Sequence, residues 1–309
     1  LTDLCFKADS ITIEREFQGR IVMTNARAVV VTGVSTGIGW GTTQALVAAG
    51  FHVFGSVRRS EDGARAQQAF GDSFTPLLFD VTDGPAVLAA ASQVRQALAG
   101  QALFGLVNNA GIAVPGPLLH LPLAQFKHQF DVNVTGLLAT TQAFAPLLGA
   151  DKDFTGHPGR IINISSVAGK VATPFTGAYG ASKFAVEGLS DALRREMLLF
   201  GVDVVLIEPG PIATAIWEKN EQVDYSIYAD TAYAKPIAKM MAYVKSVTAH
   251  AIPLETVGQL VLRALTIPAP KPRYIITPSL LQHYITRYLP TRMVDKLIAR
   301  TLGLLPTKS

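Results

Sequence analysis

The sequence predicts an α/β protein: a doubly wound, mostly parallel sheet in a single domain. Short β-branched runs alternate with helix-compatible stretches along most of the chain. The first run passes through a glycine-rich turn into a helical stretch. Later runs end in amide, hydroxyl or glycine residues of the kind found in the ligand crevice at the carboxyl edge of such sheets. With 309 residues, 49% apolar and 16% charged, the chain can bury a large core and lacks the composition of a disordered one.

Residues 28–32, Ala-Val-Val-Val-Thr, form a strand of the type buried on both faces. They run into Gly33-Val-Ser-Thr-Gly37-Ile-Gly39 and then into a helix over 40–49, stopped by Gly50. Such glycines let the backbone approach a pyrophosphate, and the helix N-terminus supplies free N–H groups and a positive dipole. Residues 51–57 form the second strand, which ends at Arg58-Arg59. About 20 residues past the glycines a carboxylate would bind a ribose 2′-hydroxyl, whereas arginine would accept a 2′-phosphate. The arginines therefore point to NADP(H), with NAD(H) possible; in the alternative both are solvated and Glu61 or Asp62 serves the ribose.

Residues 74–79 make a third strand before Asp80-Val81, and 84–98 are helical in composition. A fourth strand over 103–107 meets Asn108-Asn109-Ala110-Gly111. A helix over 123–148 contains Asn133, mildly unfavourable there and so either tolerated or functional. After a polar loop, 160–164 form a fifth strand ending in Ser165-Ser166, and 202–207 a sixth ending in Glu208-Pro209-Gly210-Pro211. The pattern weakens over 212–252, where Trp217, Tyr225, Tyr228 and Tyr233 suit either a lid over an apolar substrate or a surface helix pair. Residues 254–265 are helical and 273–277 form a last strand. In the terminal piece, 280–308, broken by Pro290, Arg292, Lys296 and Arg300 share one helical face. A helix docked over the substrate mouth is the favoured reading, and peripheral membrane contact the less favoured one.

Tyr179-Gly-Ala-Ser-Lys183 places a phenol and an ammonium at i and i+4, on one face of a helix. A nearby cation favours a phenolate by about 4 kcal/mol for charges ~4 Å apart at an effective dielectric of ~20, before desolvation opposes it. The bland alternative is a solvated helix face.

The net charge is +4, but the basic residues are scattered, which argues against a nucleic-acid partner. Cys5 is the one cysteine, so no internal disulfide or thiolate metal cluster is expected, and a cytoplasmic, reducing compartment is the simplest setting. No apolar run reaches the roughly 18 residues needed to span a bilayer. Residues 1–22 read as a tail outside the fold, and 23–309 as one domain with a lid over about 211–252 and a helical extension over about 279–309.

Thr32-Gly33-x-x-x-Gly37-x-Gly39, Asn108-Asn109-Ala110-Gly111, Asn133, Ser166, Tyr179-x-x-x-Lys183 and Pro209-Gly210-x-x-x-Thr214 follow in order. Together they resemble the short-chain dehydrogenase/reductase family over about 26–215, and the segments around Tyr179, Pro209 and Pro270 resemble its 17β-hydroxysteroid and retinol dehydrogenase branch. The resemblance implies a Rossmann-type fold and a catalytic set of Asn133, Ser166, Tyr179 and Lys183. Ser166 fits the family spacing and Ser165 is its neighbour; Asn133 would hold a water linking Lys183 to solvent, or be structural. Gly33, Ser35, Thr36, Gly37, Ile38 and Gly39 would surround the phosphates, with Thr36 standing where many NADP-using members carry a basic residue, which leaves selection to Arg58. Asp80 and Val81 would meet the adenine, Asn109, Ala110 and Gly111 its ribose side, and Pro209, Gly210, Ile212 and Thr214 the nicotinamide end.

The implied reaction interconverts a bulky apolar alcohol and its carbonyl, steroid-, retinoid- or long-chain-like. Val114, Pro115, Val171, Phe175, Ile216 and Trp217 would rim the substrate pocket. A reductase of 3-oxoacyl thioesters or small carbonyls, or a non-catalytic dinucleotide-binding sensor, are the alternatives. No metal is implied. A homodimer or tetramer is, through helices over 123–148 and 181–200.

Overall fold

In the computed structural model, residues 12–15, 21–24, 27–151, 153–213, 224–248 and 251–306 are described. Strands β1 (Thr12–Arg15) and β2 (Ile21–Thr24) pair as an antiparallel hairpin apart from the main sheet. The main sheet contains β3 (Ala28–Val31), β4 (His52–Val57), β5 (Phe74–Leu78), β6 (Gly105–Asn108), β7 (Arg160–Ile164), β8 (Asp203–Pro209) and β9 (Arg273–Ile276). All seven run parallel in the order β5-β4-β3-β6-β7-β8-β9. The chain leaves β3 toward one edge and returns to its other side at β6. That reversal opens a crevice at the carboxyl ends of these two strands.

Helices cover both faces, so the central strands are mostly apolar and buried on both sides, β3 at every position, rather than alternating regularly with polar residues. Val30, Leu106 and Ile161 point into a core with Val87, Ala91 and Val94 of α3 (Gly84–Leu98). Val29, Val31, Val107 and Ile162 point the other way, onto Leu46 of α1 (Gly37–Ala48) and Ala66 of α2 (Ser60–Phe70). The two-residue period of a strand makes this division, and full burial of each Val, Leu or Ile contributes roughly 1.5–3 kcal/mol.

The expected single helix over 123–148 is interrupted. It consists of α4 (Leu123–Phe130), a π turn (Asp131–Thr135), α5 (Gly136–Phe144) and a 3₁₀ turn (Ala145–Leu148). Asn133 lies inside the π turn, held by hydrogen bonds from outside the helix. Helix α6 (Gly177–Glu196) carries the Tyr-Lys pair. In the stretch left open between lid and helix pair, a 3₁₀ turn (Ser226–Tyr228) precedes α7 (Ala234–Thr248), and α8 (Leu254–Thr266) follows. The chain ends in α9 (Leu280–Tyr288) and α10 (Thr291–Leu302), divided where Pro290, with no N–H to donate, becomes the N-cap of α10.

Candidate active site

The carboxyl ends of the central strands open on a cavity of about 1160 Å³, lined at once by the glycine-rich turn, the Tyr-Lys pair and a run of apolar side chains. The turn is shaped by glycine. Gly33 and Gly37 have φ of 70° and 62°, and a Cβ on Gly39 would collide with the Gly33 carbonyl. The Gly33 N–H donates to Ser56 Oγ at 2.9 Å, and Asn109 Nδ2 donates to the carbonyls of Thr32 and Gly33 at 2.8 and 3.1 Å. Thr32 leaves the strand, and its Oγ1 accepts from the N–H groups of Asn109 and Ala110, both at 2.9 Å. These bonds lock the end of β3 to that of β6. At the start of α1, Thr36 makes no side-chain capping bond and the first turn holds no acidic residue. The positive end of that helix is thus left for a ligand anion.

Arg58 is on the cavity wall, 69% exposed, with Nη1 3.9 Å from Asp80 Oδ2. Arg59 turns away to Asp62 at 3.0 Å, and Arg65 holds the same carboxylate at 3.1 Å. Asp62 is therefore engaged by two arginines, and neither it nor Glu61 lines the cavity.

Tyr179 and Lys183 both reach the cavity, but their electrostatics differ from the sequence expectation. Burial raises the phenol pKa above its ordinary value, opposed by a hydrogen bond from Ser166 rather than by the lysine. Lys183 Nζ donates to the Ile164 carbonyl at 2.8 Å and sits 5.8 Å from the Tyr179 ring centroid. Burial lowers its own pKa to about 8, with the Glu187 carboxylate opposing. Desolvation, about which a four-residue spacing carries no information, outweighs the ion–phenolate attraction.

The two serines are separated by their surroundings. Ser166 Oγ accepts from the Ala168 N–H at 3.1 Å and approaches the Pro209 carbonyl at 3.4 Å, while Ser165 Oγ is buried without a hydrogen-bond partner among the described residues. The Asn133 side chain is fully engaged. Its Oδ1 accepts from the Ile112 N–H at 2.9 Å, and its Nδ2 donates to the Ile112 carbonyl and to Ser182 Oγ, both at 3.0 Å.

Of the other expected contacts, Ser35, Thr36, Ile38, Asp80, Val81, Asn109, Ala110, Gly111, Pro209, Gly210 and Ile212 line the cavity, as do Pro115, Val171 and Phe175. Gly39 stands behind the wall, and Val114 borders a separate hollow with Ala124, Gln125 and His128. Thr214, Ile216 and Trp217 lie outside the described residues. Phe175 has a left-handed backbone, φ 65°, an uncommon and strained state for a bulky side chain. Its carbonyl accepts the Gly116 N–H at 2.7 Å, and its ring meets Tyr233 edge-on at 5.8 Å.

This arrangement of cradle, crevice and phenol has a counterpart among known proteins, since residues 27–224 match the family described as short chain dehydrogenase. The chain belongs to the short-chain dehydrogenase family.

It is an oxidoreductase of the Rossmann-like fold. An NADPH-dependent 3-dehydrocapnine reductase of Ornithobacterium rhinotracheale is 40% identical over 284 residues, 92% of this chain and 100% of its own. Retinol dehydrogenase 16 of Mus musculus is 30% identical across 96% of both chains, in keeping with the retinol-dehydrogenase-like segments. A short chain dehydrogenase of Burkholderia cenocepacia, solved in complex with NADP, superposes with a TM-score of 0.66 at 25% identity, over 91% of this chain and 98% of its own.

Some site residues of this dehydrogenase were not singled out from the sequence. Gln129, one helical turn before Asn133, also grips Ile112, at 2.8 Å, and accepts from Val114 N–H at 2.7 Å. Ser182 stands within the Tyr-Lys motif itself. On α7, Ile237, Met240, Met241 and Val244 line the cavity. Their i, i+3, i+4, i+7 spacing is legible in the sequence, but the polar residues between them blurred it.

Proposed function

We propose that the protein is an NADP(H)-dependent oxidoreductase interconverting an alcohol and a ketone or aldehyde on a bulky, apolar substrate, with Tyr179 as general acid and base. The observation that carries this reading is the single cavity shared by the glycine turn, Arg58, the Tyr179–Ser166–Lys183 group and an apolar wall of Val171, Phe175, Ile237, Met240 and Leu302.

The residues fit a dinucleotide: the cradle at Gly39 tolerates no Cβ and the N-terminus of α1 carries no capping side chain. Gly33, Ser35, Thr36, Gly37 and Ile38 would hold its phosphates, Asp80, Val81 and Asn109 to Gly111 its adenosine half, and Lys183, Pro209, Gly210 and Ile212 its nicotinamide half. Arg58 would take a 2′-phosphate, a reading supported by the engagement of Asp62 elsewhere and by the NADPH-dependent relative. Such a cofactor supplies or accepts the hydride.

The protein's own task is then to move one proton and stabilise one oxygen. Tyr179 Oη gives its proton to the substrate oxygen in reduction and takes it back in oxidation. Because burial keeps the phenol protonated, the resting enzyme is poised as an acid. Ser166 Oγ, which hydrogen-bonds the phenol and lies 3.4 Å from the Pro209 carbonyl, donates to the same oxygen as charge develops. Lys183 Nζ steadies the phenolate left behind. Asn133, whose side-chain amide ties Ile112 to Ser182, sets the position of the catalytic helix and would hold a water linking Lys183 to solvent.

A homodimer through α4 and α6 is supported by the exposed Leu123 and Phe184 on these helices and by the exposed Leu198 and Leu199 in the 3₁₀ turn (Met197–Phe200) that follows α6.

Steroid, retinoid, long-chain aliphatic and acyl-thioester carbonyls offered with NADPH or NADH test the reading. Oxidation of NADPH is expected with the large apolar carbonyls. Tyr179→Phe should remove it by about 10²–10⁴-fold while cofactor affinity is kept. Tight cofactor binding with no turnover of any carbonyl would overturn the proposal.

A further inference from the structure

We infer that the last two helices dock the protein on an anionic lipid bilayer, so that an apolar substrate enters the cavity from the membrane surface. Helix α9 turns Leu281, Tyr284, Ile285 and Tyr288 to solvent, at 72, 43, 44 and 72% exposure. The spacing i, i+3, i+4, i+7 gathers them into one stripe, directed outward where a soluble helix would direct it inward. The rings of Tyr284 and Tyr288 stack at 6.2 Å, and the Arg287 guanidinium sits over Tyr288 at 5.5 Å. Amphipathic rings with a cation beside them suit the boundary between headgroups and acyl chains.

Helix α10 supplies the charge. Val294 and Leu302 are buried on its inner side, while Arg292, Lys296 and Arg300 are exposed at four-residue intervals with Met293 and Leu297 beside them. Between residues 280 and 302 four basic side chains face one acid, Asp295. A row of cations flanked by exposed apolar side chains complements an anionic surface. A second copy of the chain is the poorer occupant, because a two-fold axis through this face would bring like-charged rows together. Neither helix is long and apolar enough to cross a bilayer, so the pair lies in the interface plane.

The surface is continuous with the site. Leu297, exposed on the flank of α10, also lines the cavity with Ile298, Thr301 and Leu302, and the exposed Met241 and Tyr243 of α7 line it too. The inner side of α10 therefore closes the cavity that its outer side would hold against lipid. The inference takes its substrate class from the proposed function, but membrane binding is measured without turnover, so either can fail alone.

The full chain is mixed with vesicles of phosphatidylcholine, alone or with phosphatidylglycerol, and floated on a density gradient. Expected is co-flotation with the mixed vesicles, weak flotation with phosphatidylcholine alone, and release by high salt. The combined variant Leu281→Ser, Tyr284→Ser, Tyr288→Ser should lower partition at least about tenfold. Arg292→Glu, Lys296→Glu, Arg300→Glu together should lower it at least about a hundredfold, at roughly fivefold per charge. Both should leave thermal melting and turnover of a water-soluble carbonyl unchanged. Absence of flotation with the mixed vesicles, or flotation unaltered in both variants, overturns the inference. So does a variant that floats as before but elutes later on gel filtration, which would make the stripe an interface between copies.

Discussion

Asn133 Nδ2 donates to Ser182 Oγ at 3.0 Å, and Ser182 Oγ donates in turn to the Tyr179 carbonyl at 2.7 Å. The π turn is thereby tied to the main chain of Tyr179, the residue proposed to move the proton. Ser182→Ala would leave a buried amide hydrogen unpaired, at about 1–3 kcal/mol of stability. Because the loss falls on positioning, kcat should drop about tenfold with little change in KM for the cofactor. Steady-state kinetics beside a thermal melt checks this, and an equal rise in both KM values would place the effect elsewhere.

The pH profile should report Lys183. With its pKa lowered to about 8 by burial, the ammonium is present below that pH and lost above it, whereas Tyr179 remains a phenol throughout. The rate of carbonyl reduction should be level below pH about 8 and decline above it, and Lys183→Met should abolish that break. The break is read from kcat/KM measured against pH.

Arg58→Asp should turn the preference toward NADH. Losing a charge-assisted contact to a 2′-phosphate costs about 1.5–3 kcal/mol, roughly 10–100-fold in the NADPH to NADH ratio of kcat/KM. An unchanged ratio would assign the phosphate to another group, with Arg65, already bonded at 2.5 Å to the Ser35 carbonyl, the next to examine.

Glu208 makes stability depend on pH. Burial, with the neighbouring Glu187 charge, raises its pKa from 4.5 to about 7, against the opposing pull of Lys170 and Arg273. Between pH 4.5 and about 7 the folded protein holds a proton that the unfolded chain releases, so stability falls as pH rises through that window and levels off above it. Glu208→Gln should flatten this decline, measured as Tm between pH 5 and 8. A decline of the same slope would show that the carboxyl is not its source.

The strands and the cradle were legible because both leave local marks. Ala28 to Val31 is apolar at every position since helices cover both faces of the sheet, and Gly33 and Gly37 adopt a left-handed backbone that favours glycine. The break at Asn133 was legible only as an oddity, an asparagine where a helix prefers another residue. Its cause, the grip on Ile112, spans 21 positions that no local pattern connects. Over 212–252 lid and helix pair stay open in the sequence for a related reason: the apolar side of α7 faces a cavity as well as packed neighbours, so its pattern is diluted.

What the sequence determined by itself was the inventory: strand, glycine turn, crevice residues, and a tyrosine and lysine one helical turn apart. Period, spacing and backbone preference belong to the chain before it folds. What only the tertiary structure decided was the state of those groups. Burial, not the lysine, governs the Tyr179 proton, and Arg59 and Arg65 together remove Asp62 from the cofactor's reach. Desolvation and pairing depend on what the fold brings within a few ångströms, and those neighbours come from distant parts of the chain.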